Sequence, residues 1–532
     1  MKLTKRARLT IAMSLLLLVA CDNAPGPVTP TVVTTSTLPT TLATLMPTTT
    51  SVAAKSPTSA PATSVPTQQL TPTIQPPTPG SSAESCVSET AQAEQDGLGD
   101  PLFPQLGNSG YDALHYTLDL LVGVESNLVF GTTTMRARSI KDMSAFNLDF
   151  ESLEITTLTV NGTAARYSHE RHELTITPAT SLKAGEIFTV TVDYRGEPNS
   201  DPGDNSPNEK EYALGWSHYD GGIFVASEPS GAASFYPVND HPCDKATYTF
   251  RITVPERYVV AANGTLKGIT ENGQTNTYLF ETRDPMASYL AAINIAEFDR
   301  ETQQGPGGLP IRNYFEKSLD SSTREEFERT PEMIEYFSQI YGPYPFDVYG
   351  AVVLDDNLGF ALETQTLSLF GRRVGNDRVD AEQVIAHELS HQWFGDSVSL
   401  TSWRDIWLNE GFASMSEWLW IEHSQGEGAY ESYVRGVYGY AQENFLSPPA
   451  DPSADDLFNA GVYLRGGLTL YALRKEVGDD LFFRTLQTYT SRYRNGNART
   501  EDFIEVAEEV SGKELGDLFN AWLHHAEMPP LP

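Results

Sequence analysis

The chain has 532 residues, with 36 basic side chains against 70 acidic ones and a formal net charge of −34. That length provides material for two or three domains. So large an acidic excess argues against a nucleic-acid-binding role and favours a soluble protein outside the cytoplasm.

At the N-terminus, Lys2, Lys5, Arg6 and Arg8 precede an apolar run from Ile11 to Ala20. The run is too short to span a bilayer comfortably and reads as an export signal over residues 1–21. It ends in Leu18-Val-Ala-Cys21, a tetrapeptide similar to the bacterial lipobox, so Cys21 is the predicted lipid attachment site; an ordinary cleaved signal or a short anchor is the alternative. Residues 22–85 are rich in Thr, Pro, Ser and Ala, with no aromatic residue and only Asp22, Lys55 and Glu84 charged. Such a segment cannot build a core and is predicted to be a disordered linker. As polyproline II it would reach roughly 200 Å, and as a flexible coil about 45 Å. With Cys21 set aside, Cys86 and Cys243 form an even pair in an oxidising compartment, either bonded to each other or as two separate thiols.

Residues 86–308 read as an antiparallel β domain. Tyr116–Leu120, Leu153–Val160 before Asn161-Gly162, Ile187–Val192 and Tyr248–Val254 alternate apolar and polar residues between turn signals, the period of half-buried strands. From residue 309 to 532 the period lengthens. Helices are predicted over Thr323–Tyr341, Ala460–Glu476, Asp480–Tyr493 and Glu501–Ser511, with a strand at Tyr349–Leu354, so the whole chain is α+β.

The second region carries Val384-Ile-Ala-His-Glu-Leu-Ser-His-Gln-Trp-Phe394 and then Trp407-Leu-Asn-Glu-Gly-Phe-Ala413. On a helix, His387 and His391 share one face, so two imidazoles can converge on one metal ion. Asp380 and Gln383 stand at capping-box spacing before this run, and Gly395-Asp396 would stop it. A catalytic zinc takes three protein donors and keeps one position open; Glu410, nineteen residues past His391, is the third. One Zn2+ per chain is expected. Glu388, placed directly after a ligand, is the candidate general base. Glu417 lies seven residues past Glu410 on the same helical face and could orient a ligand, with a solvated carboxylate the favoured reading.

These residues resemble the M1 family of zinc aminopeptidases, whose pattern is H-E-x-x-H, eighteen residues, then Glu. The resemblance covers roughly residues 100 to 532. It implies a saddle-like β domain packed on a thermolysin-like, mostly helical catalytic domain, and an activity that removes N-terminal residues from peptides with a free N-terminus. Larger family members continue into a helical C-terminal domain, for which this sequence leaves no room.

The resemblance also assigns further roles. Tyr463, in Gly461-Val-Tyr-Leu-Arg-Gly-Gly467, matches the family's catalytic tyrosine, with Arg465 where lysine is commoner. Gly359-Phe-Ala-Leu-Glu-Thr364 resembles the Gly-Ala-Met-Glu-Asn exopeptidase motif. Glu363 would hold the substrate amine there, while Ala361 and Leu362 offer backbone from an edge strand. Phe360, Leu362 and Thr364 replace the family's Gly, Met and Asn, and Phe360 and Leu362 suggest a neutral or apolar first side chain. Glu228, in Ser227-Glu-Pro-Ser-Gly-Ala232, falls where the family places a second amine-binding residue. The expected setting is extracytoplasmic, tethered to a membrane through Cys21.

Overall fold

The computed structural model describes residues 97–151, 153–198, 214–375 and 378–532; the export signal, Cys21, the linker and Cys86 lie outside them. Among the described residues the alternating segments form an eight-stranded sheet. Its order is Thr265–Glu271, Thr275–Glu281, Thr247–Pro255, Tyr111–Gly123, Leu128–Ser139, Ile187–Gly196, Glu154–Val160, Thr163–Ala164. In the Tyr111–Gly123 strand, Tyr116, Leu118, Leu120 and Val122 are at most 1% exposed, and the residues between them face outward, as a period of two requires. Asn161 (φ 51°) and Gly162 (φ 73°) both adopt left-handed backbone between Glu154–Val160 and Thr163–Ala164, the geometry of a two-residue hairpin. Neighbouring strands are antiparallel throughout, except that Tyr111–Gly123 and Thr247–Pro255 run parallel.

A five-stranded sheet follows, ordered Phe298–Gln304, Pro310–Glu316, Tyr349–Val353, Ser368–Phe370, Ala361–Leu362. Its first hairpin crosses residue 308, and its last strand is an outer one. Beyond it the chain is mainly helical, completing the α+β organisation. The predicted Thr323–Tyr341 helix is two pieces, Ser321–Glu325 and Thr330–Tyr341. Pro331 explains the break, because proline lacks an N–H and is tolerated in a helix's first turn but not in its interior.

Three contacts position the site. The Lys245 ammonium, from the β domain, donates to the carbonyls of Asp396 (2.8 Å) and Ser397 (3.1 Å), just past the histidine helix. Phe394 packs on Phe412 with ring centroids 4.5 Å apart, joining the end of that helix to the one carrying Glu410. Arg465 is fully buried and donates to the carbonyls of Trp522 (2.7 Å) and Ala521 (3.2 Å) and to that of His525. It thus fastens the Gly516–Leu523 helix under the tyrosine segment. Cys243 is buried and disulfide-bonded.

Candidate metal centre and substrate cavity

His387 lies in the helix Arg378–Ser390, and His391 lies in the turn that continues it, where the His391 amide still bonds the His387 carbonyl at 3.4 Å. Asp380 is inside this helix rather than capping it, as an acidic residue of the first turn, where the helix dipole favours negative charge. Glu410 comes from the first turn of Trp407–Gln425. The two helices bring the donors together: His387 Nε2 is 3.2 Å and His391 Nε2 3.7 Å from Glu410 Oε2. Ligand atoms around a tetrahedral zinc stand about 3.3 Å apart, so the donor set fits that ion.

The far sides of both rings are occupied in the way zinc ligation needs. His387 Nδ1 donates to Glu417 Oε1 at 2.6 Å, and His391 Nδ1 donates to the Phe394 carbonyl at 3.1 Å. Each bond leaves the Nε2 lone pair facing the other donors. Burial disfavours a charged His387 ring, but Glu410 and Glu417 at its two nitrogens outweigh it and hold its pKa well above the usual value. The same pair of carboxylates favours a cation at this point. A second group, Glu363, Glu388 and His391, also has donor atoms within 4.8 Å of one another. It offers one imidazole where the first offers two, and zinc prefers nitrogen and sulfur donors.

Glu417 is therefore not the solvated carboxylate favoured from sequence; its bond to His387 fits the other reading, a carboxylate placed to orient a candidate ligand. Replacing it with alanine is expected to weaken zinc binding about 10- to 100-fold, measured by competition with a calibrated chelator.

Around the donors lies a cavity of about 260 Å³ lined by Glu228, Ala361, Leu362, Glu363, Glu388 and Tyr463, among others. Every substrate-contacting residue proposed from sequence thus reaches one space. Tyr463 sits in a π-helical turn, Gly461–Arg465, a local widening that often marks a functional position. Gly411 and Gly466 let the Glu410 helix and the tyrosine segment meet: a Cβ on Gly466 would lie 2.9 Å from the Gly411 Cα. The Tyr463 ring stacks on His387, with centroids 6.0 Å apart and planes at 19°.

Ala361–Leu362 is the predicted edge strand, pairing antiparallel with Ser368–Phe370. Gln392 locks it to the metal helix: its amide donates to the Glu363 carbonyl (2.9 Å) and accepts from the Thr366 N–H (2.8 Å). Tyr289 donates to Glu363 Oε1 at 3.4 Å and accepts from Asn409 at 3.4 Å. Neither Tyr289 nor Asn409 carries a sequence signal for this role.

The cavity is lined by carboxyl groups whose ionisation burial opposes until a cation joins them. Burial, reinforced by the Glu410 charge, pushes Glu363 up to about 8. Burial and the charges of Glu363 and Glu410 raise Glu228 well above the carboxylate range. Burial also raises Glu388, with Glu363 and Glu410 adding to it against the opposing His387 charge. Glu228 Oε1 is buried without a hydrogen-bond partner among the described residues. A buried acceptor left unpaired costs roughly 1–3 kcal/mol, and a cationic ligand would relieve it.

Related proteins carry the same domains. The family profile described as the Peptidase family M1 domain matches residues 325–522, and the Peptidase M1 N-terminal domain matches residues 112–290. Glutamyl aminopeptidase of Sus scrofa is 26% identical over 328 residues, covering 57% of this chain and 34% of its own length. Aminopeptidase M1 of Arabidopsis thaliana is 25% identical over 331 residues, covering 57% of this chain and 36% of its own. The chain thus spans about a third of the length of these curated relatives. The crystal structure of an M1 zinc metallopeptidase from Deinococcus radiodurans has a TM-score of 0.76 and 31% identity, covering 82% of this chain and 98% of that one. A mutant M1 zinc metallopeptidase from Deinococcus radiodurans, bound to a Tyr-Ser-Ala substrate, matches at 32% identity and TM-score 0.75, covering 82% and 99%. With both domains matched and a solved relative covered almost end to end, this chain belongs to peptidase family M1.

Proposed function

We propose that the protein is a zinc-dependent aminopeptidase that hydrolyses the first peptide bond of peptides with a free N-terminus. One observation carries the reading: two buried carboxylates, Glu228 and Glu363, line the same cavity as the His387, His391 and Glu410 donors. An endopeptidase needs the metal donors but has no use for an anionic trap that stops a peptide at its amine.

Zinc held by these donors would polarise the scissile carbonyl and activate water for attack. Glu363 and Glu228 bind the α-ammonium, and the ammonium in turn favours their ionised forms. Holding the amine there fixes which bond enters the reactive position. Glu388 takes a proton from the attacking water and passes it to the leaving amine. Tyr463 donates its hydroxyl hydrogen to the oxygen on which negative charge develops. The outer strand Ala361–Leu362 offers backbone groups to an extended peptide. The relative solved with Tyr-Ser-Ala supports a short peptide as the substrate.

The decisive comparison is hydrolysis of leucine anilide against its N-acetylated form. The aminopeptidase reading expects the free amine to be strongly preferred, and faster cleavage of the blocked compound would show an endopeptidase. Within that comparison, Glu363→Ala is expected to lower kcat/KM for free-amine substrates about 10- to 100-fold, chiefly through KM. An equal loss on blocked substrates would assign Glu363 a structural role instead.

The signal and linker patterns support an extracytoplasmic enzyme tethered to a membrane by lipid on Cys21, with Cys86 as the partner of Cys243. Mass spectrometry of the mature N-terminus and of non-reduced peptides tests both: an unmodified N-terminal cysteine, or Cys243 joined elsewhere, would refute them.

A further inference from the structure

Acidic side chains from seven positions line the cavity, and Arg373 is the only lysine or arginine among the lining residues. Its neighbour Arg372 is tied down, with Nε 2.6 Å from Asp355 Oδ1 and Nη2 donating to the Asp355 carbonyl at 2.6 Å. Arg373 has no hydrogen bond or ion pair among the described residues. Arg373 is exposed, and the strand register shows where it stands along the cavity. Leu362 pairs with Leu369 and Ala361 with Phe370, so Glu363 is level with Ser368 and Arg373 lies toward the opposite end of the strand. Five residue steps separate those levels, at most about 17 Å.

The backbone leading to Arg373 is fixed. The Arg372 amide donates to the Asp356 carbonyl at 2.7 Å, and a Cβ on Gly371 would lie 2.8 Å from that same oxygen. The cavity is therefore polarised along the edge strand, with Glu228 and Glu363 at one end and, at the other, an arginine that has no ion pair among the described residues. A short zwitterionic peptide has the complementary polarity. Three extended residues span about 10 Å, and the arginine side chain covers much of the remainder.

We infer that Arg373 is a specificity-determining residue that binds a carboxylate on the substrate, making short peptides with a free C-terminus the preferred class. The inference rests on the aminopeptidase reading above. A side-chain carboxylate on the third residue is the other source of the same chemistry.

The test uses the zinc-loaded enzyme at low ionic strength with Leu-Gly-Gly, its C-terminal amide, and the amides of Leu-Gly-Asp and Leu-Gly-Asn. The expected result is a kcat/KM about five- to tenfold higher for free Leu-Gly-Gly than for its amide. That ratio should fall to about one in Arg373→Met, be partly kept in Arg373→Lys, and shrink as salt screens the pair. Circular dichroism and zinc content of each variant exclude misfolding as the cause. An Arg373-dependent preference for the Asp amide over the Asn amide, without an acid-over-amide preference, would support carboxylate binding with the side chain as its source. Equal rates within both pairs, or ratios that survive in Arg373→Met, would overturn the inference. Failure of the wild-type enzyme to cleave leucine anilide would instead overturn the aminopeptidase reading, so the two failures are distinguishable.

Discussion

Replacing Glu388 with glutamine is expected to leave zinc bound at one per chain and to lower kcat about a hundred- to ten-thousand-fold. The substitution keeps the shape of a side chain that is only 6% exposed and leaves His387, His391 and Glu410 intact. It removes only the ability to accept a proton from water and return it to the leaving amine. Because Glu388 is not needed to hold the amine, KM for a free-amine substrate should change little. The pairing of zinc analysis with turnover matters here. Loss of both zinc and activity would place Glu388 among the metal donors, as in the alternative group Glu363, Glu388 and His391. Substantial activity with zinc retained would remove it from the base role.

Tyr463→Phe carries the second large effect, a loss of about a hundred- to a thousand-fold in kcat with KM nearly unchanged. Phenylalanine keeps the ring that stacks on His387 and the packing of the Gly461–Arg465 turn. What disappears is the hydroxyl, which hydrogen-bonds Glu410 in the resting site and, in the proposed reaction, donates to the carbonyl oxygen as charge develops. Thermal stability should therefore stay close to wild type. Comparable losses in kcat and stability would mean that the ring's packing, not its hydroxyl, is what the site needs.

Much of this site could be read from sequence because it is local. The i, i+4 spacing of His387 and His391 and the helix that follows them are short-range features, and Asn161-Gly162 announced its hairpin for the same reason. Glu417 was within reach of the same logic: seven residues past Glu410 is two helical turns, on the same face. Its pairing with His387 crosses between helices, and nothing in spacing distinguishes that partner from solvent. Tyr289, Gln392 and Asn409 show the limit more sharply. Tyr289 and Gln392 bond Glu363 directly and Asn409 bonds Tyr289, from other elements of the fold, and such contacts depend on tertiary packing that residue patterns do not encode. The parallel pairing of Tyr111–Gly123 with Thr247–Pro255 was hidden likewise, since alternation gives a strand's buried face and not its neighbour's direction. The Asp380 capping box failed because the helix begins two residues earlier, at Arg378. Arg465, noted only as a departure from lysine, proved to be the clamp on the last helix.

The proposed chemistry depends most on where the metal lies. Anomalous diffraction at the zinc edge, on crystals grown without chelator, should show one peak per chain, with His387 Nε2, His391 Nε2 and a Glu410 oxygen each about 2.0–2.2 Å away. A peak ligated by Glu363, Glu388 and His391 instead, or no peak in catalytically active protein, would contradict it.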